Sequence, residues 1–149
     1  MDNGDSKKVG VLLTGNGMNK SAEDYLKTIY ILKGKVKCLH AVDIARELGF
    51  SKPSVSSAMA NLKKDGLIAI KEDGEIEFTK KGLKVAKDIY DRYVMLCGFL
   101  QNVAGVDETI AKEDACRMEH CISKQTREGI QRFVEENEGS GQGDSHDYS

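Results

Sequence analysis

A mainly α-helical chain with one small β-wing is the fold class that the pattern of apolar residues predicts. Three observations carry this reading. Apolar residues recur at three- and four-residue spacing through most of residues 21–134. A helix with Pro53 in its first turn follows the short turn Gly49-Phe50-Ser51. Two runs of period two then flank Glu72-Asp73-Gly74, and Asp-Gly between alternating runs signals a hairpin. Helix, glycine turn, proline-opened helix and hairpin, in that order, make a winged helix-turn-helix.

The elements follow in order. Residues 1–19 alternate Gly, Asn, Asp and Lys around Val9–Leu13 and are expected to form a weakly ordered leader, with Val9–Leu13 able to dock as a strand. Ser21 reads as a helix N-cap, with Glu23 and Asp24 as acids in the first turn, where the helix dipole favours them. Tyr25, Leu26, Ile29, Tyr30 and Leu32 then form an amphipathic stripe ending near Gly34. Leu39–Leu48 repeats the pattern, with Val42, Ile44, Ala45 and Leu48 apolar and Gly49 as the stop. The helix capped by Ser51 or Lys52 runs to Lys64 with Val55, Met59 and Leu62 inward.

Beyond Thr79 a long helix is predicted through Leu83, Val85, Ala86, Ile89, Tyr93, Leu96, Phe99 and Leu100 to about Val103. Its apolar face is longer than a small wing domain can cover. Asp107 caps a next helix to Ile122, and Ser123 caps a last one bearing Ile130, Phe133 and Val134. Helices appended to a DNA-binding module usually form a dimerisation platform, because a two-fold dimer matches two-fold half-sites. The expected organisation is a leader over 1–19, a winged helix-turn-helix DNA-binding domain over 20–80, an all-α dimerisation domain over 81–135 and a disordered acidic tail over 136–149.

Bulk composition narrows the function classes. With 149 residues, 40% hydrophobic and 31% charged, the chain reads as a soluble globular protein. No apolar run approaches the roughly 20 residues of a membrane span, and Val9–Leu13 is too short for a signal peptide. A cytoplasmic location is expected. Cys38, Cys97, Cys116 and Cys121 are too scattered for a disulfide framework, and no CxxC pair suggests a zinc knuckle. The net charge is −2, but residues 135–149 hold −5, which leaves +3 on residues 1–134. Between Lys35 and Asp65 six basic residues stand against three acidic ones. A local basic patch rather than overall charge governs attraction to phosphates.

The stretch Cys116-Arg117-Met118-Glu119-His120 sets a thiol, a carboxylate and an imidazole at i, i+3 and i+4. Such positions share one helix face, and the donor set suits a transition metal that lacks at least one ligand. The residues alone also allow Cys116 to pack as a small apolar side chain beside a surface Glu119 and His120. Cys38-x-His40 offers two further donors, more often incidental before a helix. Cys121 lies about 140° round a helix from Cys116, which suits core packing. A Cys116/His120 nucleophile pair lacks any sign of an oxyanion hole or substrate pocket, so no enzyme is expected. On the DNA side, Lys52, Pro53, Ser54, Ser56 and Ser57 stand at the N-terminal half of the helix expected to enter the major groove. Short hydroxyls read bases weakly, so DNA shape and phosphate placement should carry specificity. The acidic wing tip is poorly suited to clamp a phosphate backbone.

Ser21-Ala-Glu-Asp24-Tyr25-Leu-Lys-Thr-Ile29-Tyr30 resembles the first helix of the diphtheria-toxin-repressor and manganese-transport-regulator family of metal-dependent repressors. Ala45-Arg-Glu-Leu-Gly-Phe-Ser51-Lys-Pro53-Ser-Val55-Ser is similar to that family's helix-turn-helix, and Asp114–His120 to its ligand segment. The likeness covers roughly residues 20–135 and is that of the short, two-domain kind. It implies a homodimer that binds a palindromic operator in double-stranded DNA when Fe(II) or Mn(II) is bound, one metal per subunit. It also implies Asp24 as the fourth ligand beside Cys116, Glu119 and His120. Asp24 matches the manganese branch and Cys116 the iron branch. Lys27, Tyr93, Cys97 and Lys112 stand where the two branches place further metal ligands. A winged-helix regulator that answers to thiol oxidation, or to no small ligand, is the competing expectation.

Overall fold

The computed structural model describes residues 20–140, which divide in sequence into two compact units after Asp91. The expectations for residues 1–19 and 141–149 lie outside the described residues. Among those described, the order is α1 (Lys20–Lys33), α2 (Ala41–Leu48), α3 (Lys52–Lys64), β1 (Ile68–Ile70), β2 (Ile76–Phe78), α4 (Lys80–Asn102), α5 (Glu108–Cys121) and α6 (Lys124–Ser140). No described helix is long and apolar enough to cross a membrane.

The first unit is a winged helix-turn-helix, as predicted. Its core gathers Leu26 and Ile29 of α1, Ile44 of α2, Val55, Met59 and Leu62 of α3, Ile68 and Ile76 of the wing, and Ala86 and Ile89 of α4. Burying each of the Leu, Ile, Val and Met side chains among these stabilises the fold by about 2 kcal/mol relative to exposure. Ser51 is the N-cap of α3, its Oγ accepting from the Ser54 amide at 3.3 Å, and Pro53 sits in the first turn. β1 and β2 pair antiparallel with Ile68 opposite Phe78 and Ile70 opposite Ile76. Gly74 closes the turn at φ 89°, its amide donating to the Lys71 carbonyl at 2.9 Å. The Ile76 amide donates to the Leu39 carbonyl at 2.8 Å, tying the approach to α2 onto the wing.

Three local expectations are corrected. Ser21 lies inside α1, which already begins at Lys20, so it is not the N-cap. Val42, expected in the apolar stripe of α2, is 42% exposed. It stands two residues from buried Ile44, about 200° round the helix, and Leu39, just before α2, takes the inner place. Leu83 is 48% exposed because Gly82, Ala86 and Ile89 occupy the inner face of α4.

In the second unit Leu96 and Leu100 of α4 bury against Ala111 and Ala115 of α5, with Ile130 of α6 packed on this cluster. Asp107 caps α5 by accepting from the Ile110 amide at 2.9 Å, and Ser123 Oγ accepts from the Thr126 amide at 3.1 Å. Phe133, one of the apolar residues of α6, is 44% exposed although its ring meets Phe99 edge-on at 6.4 Å. Residues 136–140, assigned from composition to a disordered tail, continue α6. The Asn137 side chain donates to the Phe133 carbonyl at 2.7 Å there.

Candidate functional site

The geometry of α5 decides what Cys116, Glu119 and His120 can do. The Cys116 Sγ and a Glu119 carboxylate oxygen lie within 4.8 Å of one another. Metal bonds of about 2.3 Å to sulfur and about 2.1 Å to oxygen together span about 4.4 Å, so the two side chains need close by at most a few tenths of an ångström for one cation to touch both atoms. Cys116 is half-buried, whereas Glu119 and His120 are 1% and 4% exposed. The surface placement of these two that the residues alone had allowed therefore does not hold. His120 Nε2 stands 3.3 Å from Glu119 Oε1, with both side chains fully enclosed. Burying a carboxylate and an imidazole is costly unless both find charged or hydrogen-bonding partners. A soft sulfur and a hard oxygen this close suit a divalent transition metal, while His120, set against Glu119, stands outside the group of donors that lie within 4.8 Å of one another.

Tyr93 of α4 borders this cluster. Burial pushes its phenol well above the ordinary range, and Cys97, hydrogen-bonded to it, and the nearby Cys116 and Glu119 add to the rise. Tyr93 is therefore held as a neutral phenol. Cys97 points its thiol toward the Ala111 carbonyl at 3.9 Å. Lys112 is exposed and engaged one turn back with Glu108 at 2.8 Å. Cys38 and Cys121 are exposed, so the core role expected for Cys121 is not observed. Among the described residues, Cys38 and His40 join no group of three or more donors.

Asp24 lies on α1 of the first unit and is partly exposed. Its backbone carbonyl accepts from the Thr28 hydroxyl at 2.8 Å, one turn on. Two neighbours were missed in the sequence: Glu23 is fully buried, and Lys27 is only 7% exposed. Their spacing held the signal. Glu23 stands three residues before Leu26, and Lys27 stands four after Glu23 and three before Tyr30, along the apolar stripe rather than opposite it.

Lys52, Pro53, Ser54, Ser56 and Ser57 are all exposed on α3. Ser54 is partly committed to the cap, its hydroxyl accepting from Ser51 Oγ at 2.8 Å. In the wing, Lys71 Nζ lies 3.1 Å from both Glu75 and Glu77. That lysine offsets one of the four acidic charges at Glu72, Asp73, Glu75 and Glu77, so the wing stays net acidic and poorly suited to phosphate.

Residues 18–76 match the family model described as iron dependent repressor, N-terminal DNA binding domain, and residues 79–146 the one described as iron dependent repressor, metal binding and dimerisation domain. An uncharacterized HTH-type transcriptional regulator of Methanocaldococcus jannaschii is 31% identical over 119 residues, covering 79% of this chain and 95% of that protein. The diphtheria toxin repressor of Corynebacterium diphtheriae is 27% identical over 116 residues, which cover 78% of this chain and 51% of the repressor. The solved structure of the manganese regulator SloR superposes with a TM-score of 0.68 at 28% identity, over 76% of this chain and 53% of that one. The chain thus spans about half the length of these two metal-regulator relatives.

Proposed function

The chain belongs to the iron-dependent repressor family, and from that membership we propose that it is a metal-dependent DNA-binding transcriptional repressor controlling metal-homeostasis genes in the cytoplasm. The observation that carries the reading is the close approach of Cys116 Sγ to the Glu119 carboxylate beside an enclosed His120. Asp24, Cys116, Glu119 and His120 hold one Fe(II) or Mn(II) per subunit. Lys27, a cation, and Lys112, engaged with Glu108, are unsuited to supply a second site. When bound, the metal supplies coordinate bonds shared among these four side chains.

Asp24 lies on α1 and the other three donors on α5, so ligation favours the arrangement of the two units that satisfies all four. The population competent for DNA then follows metal concentration by mass action. The protein acts as a homodimer on a palindromic operator. α3 enters the major groove and presents Lys52, Pro53, Ser54, Ser56 and Ser57. It is a regulator, not an enzyme.

Anaerobic DNA-binding titrations with Fe(II) and with Mn(II) test this. Asp24→Asn and Cys116→Ala should remain folded dimers and lose metal-stimulated binding, and metal-free protein should take up one tight equivalent per chain. Unchanged stimulation in either variant, or two tight equivalents, would overturn the corresponding assignment.

A further inference from the structure

Lys27 is the group on α1 that this function does not use, and its setting is unusual for a lysine. Its side chain is 9% exposed, and its ammonium lies 3.9 Å from Asp24 Oδ1, a carboxylate whose side chain is 32% exposed. A buried ammonium is costly unless an opposite charge compensates it. The i, i+3 spacing on α1 brings Asp24 within reach of that role. The residue as a whole is only 7% exposed, so its ammonium is little hydrated. A positive charge is thus built in beside the one donor that α1 contributes.

We propose that Lys27 sets the metal affinity of this site by acting as a tethered competitor for Asp24. The inference rests on the assignment of Asp24 as a ligand. A divalent cation at Asp24 must either draw the carboxylate from the ammonium or sit within a few ångströms of it. Either outcome lowers affinity, since like charges at such separations repel strongly where water is partly excluded. The metal-free state therefore already has a cation at Asp24, and binding exchanges one cation for another. This raises the metal concentration at which the site fills, which suits a sensor that must ignore scarce metal.

The test is a titration of the metal-free full-length chain with Mn(II) against a fluorescent chelator, under reducing conditions. Lys27→Gln should tighten binding by about tenfold or more, the scale expected for removing a unit charge a few ångströms from the ion. Lys27→Met, which keeps the packed stem, should do the same, and Lys27→Arg, which keeps the charge, should stay within about twofold of the unaltered protein. In an Asp24→Asn background the effect of Lys27→Gln should shrink to the part that acts directly on the ion. If Lys27→Gln and Lys27→Met leave affinity unchanged while Asp24→Asn weakens it, the competitor role fails and the ligand assignment stands. If Asp24→Asn leaves affinity unchanged, the ligand assignment itself fails. Undiminished tightening in the Asp24→Asn background also overturns the proposal, because the effect would not act through that carboxylate.

Discussion

Gly82 of α4 lies directly against the backbone of Leu67, so close that a methyl group at position 82 would overlap the Leu67 carbonyl. The approach is held from both sides. The Thr79 amide donates to the Leu67 carbonyl at 3.2 Å, and the Gly82 amide donates to Thr79 Oγ1 at 3.0 Å. The entry to the wing and the start of the long helix are thereby locked together.

Gly82→Ala separates two opposed effects. On helix propensity alone, alanine should stabilise α4 by about 1 kcal/mol. The overlap with backbone, which cannot rotate away as a side chain does, should cost about 2 kcal/mol or more net. Urea unfolding should show a lower midpoint for the variant. A raised midpoint would mean that the close approach carries no energetic weight.

Lys52→Gln should move stability and DNA affinity in opposite directions. Lys52 is exposed at the first position of α3, where the helix dipole disfavours a cation by about 0.3–1 kcal/mol. Removing the charge should leave the protein equally or slightly more stable. Binding to DNA should weaken by a similar factor across sequences, and the slope of log affinity against log salt should flatten by about one. A loss confined to one operator position would instead make Lys52 a base-reading residue.

What could be read in advance divides along physical lines. The Asp73-Gly74 turn, the Pro53 helix start and the caps at Asp107 and Ser123 are local, set by residues within four positions of one another, and each lies where the pattern placed it. Cys116 and Glu119 were legible for the same reason, since i, i+3 is fixed by helix geometry. The phases of Val42 and Leu83 were not, because a short or glycine-bearing helix can turn either flank inward. Which flank wins depends on tertiary partners, such as Leu67 against Gly82. Nor did composition reveal the burial of Glu23 and Lys27 in α1. First-turn acids and lysines are solvated by default, and only tertiary packing overrides that. Asp24 had no local signal beyond that default and was singled out by resemblance alone.

Tyr93→Phe should alter the alkaline limb of stability. The phenol is raised chiefly by burial, with the hydrogen bond to Cys97 among the lesser causes. Below its ordinary value of 10.0 both folded and unfolded chains carry the neutral phenol, and this group adds no pH dependence. Above that value the unfolded chain releases the proton while the folded chain keeps it, so stability falls as pH rises. Phenylalanine cannot ionise and removes this contribution, while losing a hydrogen bond of about 1 kcal/mol at neutral pH. The variant should therefore be the less stable protein near neutrality, and the gap should narrow or reverse above about pH 10. Urea unfolding of both proteins at about pH 8 and about pH 11 measures it, because groups remote from position 93 titrate alike in the two chains. A gap of constant size would show that the phenol ionises equally readily in the folded and unfolded states.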